Sequence, residues 1–132
     1  MAQGFSGLPI LTVIPRFLIV RVTDAQANNV ATTTVGGDIE SPVTGTVEEV
    51  IAYVDTAGIT GLQTVDINKN GVTILSTKLT IDSTEKSSRD ASAAAVISVT
   101  SVTAGDIFTI DVDGVQTTVA LGLTVNIKIR ES

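Results

Sequence analysis

Alternation with a period of two dominates the chain, and its clearest case is residues 62–75, LQTVDINKNGVTIL. Val65 and Ile67 share one face of a first arm, and Val72 and Ile74 share one face of a second. Aspartate, asparagine and threonine fill much of the opposite faces, the pattern of a half-buried antiparallel pair. Between the arms, Asn70-Gly71 favours the positive φ angles of a tight turn. Glycine has no Cβ, and asparagine tolerates the left-handed region. The pattern predicts a hairpin at the centre of an all-β domain.

The same reading extends along the chain. Residues 1–15 carry no charge and are broken by Pro9 and Pro15, which predicts an extended arm in place of a helix. Residues 16–22 form a first strand with Leu18, Val20 and Val22 on one face and Arg21 on the other. Residues 23–42 are polar and turn-rich, which predicts a long connection with one short edge strand near 30–35. In residues 45–54, GTVEEVIAYV, Val47 has one parity and Val50, Ala52 and Val54 the other. A bulge at Glu48-Glu49 restores a single buried face. Residues 78–82 bury Leu79 and Ile81. Residues 83–92 are a charge-mixed crossing, with 85–95 the one stretch suited to a short helix. Residues 96–102 read as one strand. Ala104-Gly105-Asp106 is a turn, and residues 107–113 follow as a strand with Phe108, Ile110 and Val112 inward, ending at a second turn signal, Asp113-Gly114. Residues 123–130 alternate without a break: Leu123, Val125, Ile127 and Ile129 inward, Thr124, Asn126, Lys128 and Arg130 outward. Seven or eight strands at this spacing predict an antiparallel two-sheet sandwich or jelly roll, with a closed barrel as the lesser option. The expected organisation is an arm at 1–15 and one sandwich domain at 16–132.

Composition narrows the chemistry. The 132 residues include no cysteine and no histidine, which removes thiolate sites, zinc centres of the usual kinds and histidine-based triads. A net charge of −6 and four Phe and Tyr residues in all argue against phosphate neutralisation and base stacking, so no nucleic-acid partner is expected. Glu48 and Glu49 are adjacent on a strand and point to opposite faces. They cannot flank one substrate atom and read as a charged edge that blocks unwanted pairing. Asp66-x-Asn68-x-Asn70-Gly71 resembles the start of a calcium loop. However, Thr77 holds the twelfth position, Lys69 sits inside and the flanks are strands, so a plain turn is the better reading. Asp106, Asp111 and Asp113 read as a solvated acidic face. No metal, cofactor or enzymatic activity is expected. Mean hydropathy of +0.41 is high for a soluble β domain, yet no run approaches the ~18 apolar residues of a membrane helix. Subunit contacts are the simpler account of that apolar excess. The N-terminus lacks a basic start and a small-residue cleavage site, so no secretory signal is expected.

The segments GTVEEVIAYVDTAG, VDINKNGVTIL, KLTID, AGDIFTIDVDGV and GLTVNIKIR, in that order over residues 45–130, resemble the β-sandwich module of tailed-bacteriophage virion proteins. That module occurs in capsid decoration (cement) proteins and in some tail and fibre proteins. The resemblance implies a jelly roll that assembles as a homotrimer on the outside of a phage head and clamps the major capsid protein. On that reading the protein is made in the host cytoplasm and resides on the virion. Its shell contacts fall in the leading segment, at Phe5, Leu8, Ile10, Leu11, Val13, Ile14, Arg16 and Arg21, and exposed β-branched faces make the trimer. Arg16 and Arg21 form a locally basic end, either solvated or meeting acidic groups on a partner. The alternative is a receptor- or carbohydrate-binding module of a tail or fibre, with a host surface glycan as ligand. A chain read as standing alone from Met1, poor in aromatic residues, fits cement better.

Overall fold

The computed structural model describes residues 15–28 and 32–132, and these are almost entirely extended. In chain order the strands are β1 (Pro15–Asn28), β2 (Thr32–Glu40), β3 (Gly45–Tyr53), β4 (Gln63–Lys69), β5 (Val72–Thr73), β6 (Leu75–Thr77) and β7 (Leu79–Ile81). One turn of 3-10 helix, Ser88–Asp90, follows, then β8 (Val96–Ile97), β9 (Ser101–Val102), β10 (Ile107–Gly114) and β11 (Leu121–Glu131). One sheet has the order β1-β11-β3-β9. The other has β2-β10-β4-β5, with β7 sharing the outer edge of β4, and β6 pairs separately with β8. All the pairings are antiparallel. Of the arm expected at 1–15, residues 1–14 lie outside the described residues, and Pro15 belongs to the sheet as the first residue of β1.

The two sheets close on one core, so the architecture is an all-β sandwich. The first sheet contributes Leu18, Val20, Val47, Val50, Ala52, Leu123, Val125, Ile127 and Ile129. The second contributes Val65, Ile67, Phe108, Ile110 and Val112, closed at one end by Leu79 and Ile81. These are the inward parities expected for β3, β4, β7, β10 and β11. Val72 departs from its expectation. It keeps the parity of Ile74 but is 67% exposed, because it sits opposite Lys69 at the hairpin tip, past the end of the core.

The slip in β3 is a bulge at the glutamates. Lys128 pairs with Glu49 and Ile129 with Val47, so Glu48 is the extra residue. Val47, Val50, Ala52 and Val54 are all buried as a result. The bulge also corrects the expectation that the two glutamates face opposite ways. Glu48 reaches Arg130 at 3.2 Å and Lys128 at 3.9 Å, and Glu49 reaches Arg89 at 3.2 Å, so both are outside.

Three further expectations change. Residues 23–42 are mostly strand: β1 runs on to Asn28 and β2 starts at Thr32. The eleven-residue partner β11 carries β1 through two register shifts where side-chain alternation is weak, and β10 carries β2, the edge strand expected near 30–35, on to Glu40. Residues 96–102 are two short strands, because the Ser98 and Val99 N–H groups both donate to the Ile74 carbonyl and turn the chain between β8 and β9. Gly114 pairs with Thr64 after a register shift, so β10 continues through the expected turn.

The hairpin has the predicted two-residue turn, with φ of 52° at Asn70 and 88° at Gly71. It is also clamped. The Asn70 amide donates to Asp106 Oδ1 at 3.0 Å, and the Ile107 N–H donates to Asn70 Oδ1 at 2.9 Å. The Thr103 N–H donates to Asp106 Oδ2 at 2.8 Å. These bonds, Thr103 first and Asn70 second, hold the Asp106 carboxyl below the usual carboxylate range.

Deleting Glu48 restores strict alternation in β3 and removes only exposed ion pairs, so the fold should persist with a loss of about 1 kcal/mol or less. Deleting Ile51 turns Ala52 and Val54 out of phase with the core and should abolish cooperative urea unfolding. Comparable midpoints for the two deletions would refute the bulge assignment. Asn70→Ala should cost about 1–3 kcal/mol in urea titrations, since it loses two bonds and strains a positive φ. The depressed Asp106 group stabilises the fold fully above its ordinary unfolded value and loses that contribution as pH falls through its lower folded value. Asp106→Asn should therefore flatten the acid limb of stability against pH.

Candidate interaction face

The polar groups singled out by the sequence are spent on one another. On the outer face of the second sheet, Asp66 lies directly opposite Asp111 and is only 6% exposed. Like charges so placed repel. The structure answers with donors: the Thr73 hydroxyl and the Ile67 N–H both donate to Asp66 Oδ1, at 2.5 and 2.9 Å. Asn68 donates to Asp111 at 2.7 Å, and Lys78 meets Asp113 at 2.5 Å and Asp66 at 4.0 Å. The hydrogen bond and charge of Asp113, with Asp66 and Asp111 adding, hold the Lys78 ammonium above its ordinary range, against a smaller lowering by desolvation. The calcium-like positions 66, 68 and 70 follow one another along a strand and its turn. Alternate strand residues are about 6.7 Å apart, too far to converge on one ion at about 2.4 Å. Among the described residues no group of three acidic side chains is placed to hold a metal.

The outer face of the first sheet is different. Opposed positions share a face, so the register stacks three columns: Phe17 and Ile19 on β1, Lys128, Asn126 and Thr124 on β11, and Glu49, Ile51 and Tyr53 on β3. Phe17 is 58% exposed, Ile19 62% and Tyr53 42%, with Ile51 half-buried beside them. Phe17 and Ile19 on one side and Ile51 and Tyr53 on the other thus flank a polar column, with Arg21 and Glu49 continuing the two outer columns. The inward parity of the same strands is filled by Leu18, Val20, Val125, Ile127, Val50 and Ala52, so the outward side chains have no route into the core.

The cations do not leave a basic surface. Arg16 Nε meets Glu131 at 3.0 Å and Arg21 Nη1 meets Asp55 at 3.0 Å, so both expected partner-seeking arginines have acidic partners in their own chain. Arg16, Arg21, Lys69, Lys78, Arg89, Lys128 and Arg130, seven of the eight Lys and Arg residues, have a carboxylate within 4.0 Å. Most of these pairs are exposed and contribute little stability. Their effect is to cancel charge around the apolar columns.

Of the contact residues inferred from sequence, Phe5, Leu8, Ile10, Leu11, Val13 and Ile14 lie outside the described residues. Arg16 stands at the end of β1 opposite Ile129, and Arg21 stands beyond Ile19 opposite Thr124. The residues missed are Phe17, Ile19 and Tyr53. Their signal was present: Phe17 and Ile19 hold the parity opposite to Leu18 and Val20, which makes β1 apolar on both faces.

Phe17→Ser and Ile19→Ser, alone or together, should leave the unfolding free energy from urea titration within about 0.5 kcal/mol of the parent, as exposed positions do. Ile127→Ala, on the buried parity, should cost about 2–5 kcal/mol. Equal losses would mean the Phe17 face is packed.

No protein-family profile matches the chain, and no curated protein matches it.

Proposed function

We propose that the protein is a structural virion component: a phage capsid decoration (cement) protein that binds the outer capsid surface as a homotrimer and stabilises the head. The observation that carries this reading is the charge-cancelled outer face of the first sheet, with Phe17, Ile19 and Tyr53 exposed on paired strands. Apolar side chains exposed together on hydrogen-bonded strands are suited to burying area against another protein. Cement works by mass action: it binds the closed lattice better than free subunits, so the lattice is stabilised by the binding free energy.

The jelly-roll form of the sandwich belongs to the same proposal. Its support is the nesting of three ladders, β1 with β11, β2 with β10 and β3 with β9, first strand with last and so on inward. The mean hydropathy of +0.41 and the large apolar side chains exposed elsewhere, among them Ile59, Leu62 and Val96, support a multimer.

Phage heads assembled without the protein should take it up saturably, and their disassembly temperature should rise by several degrees. Phe17→Ser/Ile19→Ser should weaken uptake by about tenfold or more, a loss of roughly 1.4 kcal/mol or greater. Sedimentation should give a trimer at micromolar concentration. Indifference to heads together with binding to host-surface oligosaccharides would replace this reading with the receptor-binding one.

A further inference from the structure

The outer edge of β3 is closed at both ends and open in the middle. At one end Gly45 and Thr46 pair with β9, and the Val47 N–H donates to the Thr100 carbonyl. At the other end the Ala52 N–H donates to Ser88 Oγ, the Val54 N–H to the Lys86 carbonyl, and Tyr53 bridges Ser87. Because Ala52 and Val54 direct their N–H groups to this edge, alternation directs the Val50 N–H and C=O there too. Among the described residues no group bonds Val50 on that side. A pocket of about 310 Å³ lies against this gap, along residues 48–51. Leu79 and Ile97 supply an apolar floor, Ala94 and Ala95 a wall of small side chains, and Arg89 a rim already tied to Glu49. Unpaired backbone beside an apolar trough is the arrangement that accepts an added strand.

We infer that this slot takes residues 10–14 of a second copy of the chain as an added β-strand. The inference rests on the trimer reading and names the contact that would close it. The gap is four residues long. Ile10-Leu11-Thr12-Val13-Ile14 is an uncharged run of five, bounded by Pro9 and Pro15, in which every residue has an N–H to give. The run brings no charge of its own into the slot, where Arg89 and Glu49 already neutralise each other, and the small alanines leave room for its side chains.

Geometry excludes the chain's own run. Pro15 is the first residue of β1, and a strand added outside β3 would lie three strand spacings from it, about 14 Å. A chain spans at most about 3.6 Å per residue, so Thr12, Val13 and Ile14 cannot cross from their own Pro15. Only another copy can seat the whole run. Each copy then offers one slot and one donor segment, a head-to-tail contact that a three-fold rotation closes into a ring.

The chain has no cysteine, so introduced thiols report the contact cleanly. Full-length Val13→Cys and Ala94→Cys proteins, mixed, refolded together and oxidised, should give a disulfide joining one chain of each kind. The double variant should give a covalent trimer on denaturing gels. Ala104→Cys, in the turn before β10, should not crosslink to Val13→Cys. A purely intrachain link in the double variant, or disulfides only between two chains that both carry Val13→Cys, would overturn the inference. A trimer by sedimentation with no mixed disulfide would overturn it while leaving the trimer intact. Monomers throughout would sink both. As a second measurement, Ala94→Trp should fill the slot and raise the concentration for half-assembly about tenfold or more, with the far-ultraviolet spectrum unchanged.

Discussion

The burial of one face of β11 is the constraint on which the rest of the structure depends. Leu123, Val125, Ile127 and Ile129 are all fully buried, and β11 is hydrogen-bonded along both edges, to β1 and to β3. Sliding it by one residue would exchange these four for Thr124, Asn126, Lys128 and Arg130. Each buried aliphatic side chain contributes about 2–5 kcal/mol against truncation, and a whole domain is stable by only about 5–15. The register of the first sheet is therefore set by β11, and its neighbours adapt.

Their adaptations are where function is proposed to lie. β3 accommodates by bulging at Glu48, which puts Val47 and Val50 on one buried face and both glutamates outside. Among the described residues, the same region leaves β3 without an outer partner at Val50. β1 accommodates by following its partner through two register shifts, and its outward Phe17 and Ile19 are stranded beside the polar column of β11. An exposed apolar face and an open strand edge thus follow from fitting two strands to a third.

Much of the architecture is legible in the residues. Unbroken alternation identified β10 and β11 with their inward faces, the Asn70-Gly71 pair identified a two-residue turn, and the broken parity of β3 identified the bulge. These succeed because side-chain period and turn sterics are local properties of the backbone. The failures share one cause. β1 and β2 extend through residues that read as a polar connection, and 96–102 divides because the Ile74 carbonyl captures two N–H groups. Asp66, polar and expected outside, is almost fully covered by Thr73, Asp111 and Lys78. In each case the deciding partner is distant in sequence.

The candidate face divides in the same way. The amino-acid sequence by itself determined that the chain is an all-β domain without thiol or imidazole chemistry, with alternating strands and an uncharged leading segment, because composition and period need no partner to be read. Only the tertiary structure decided which apolar residues stay outside, which cations are cancelled and which strand edge is left open. Those properties belong to pairs of strands, and ladder register is settled by the chain as a whole when it closes around one core.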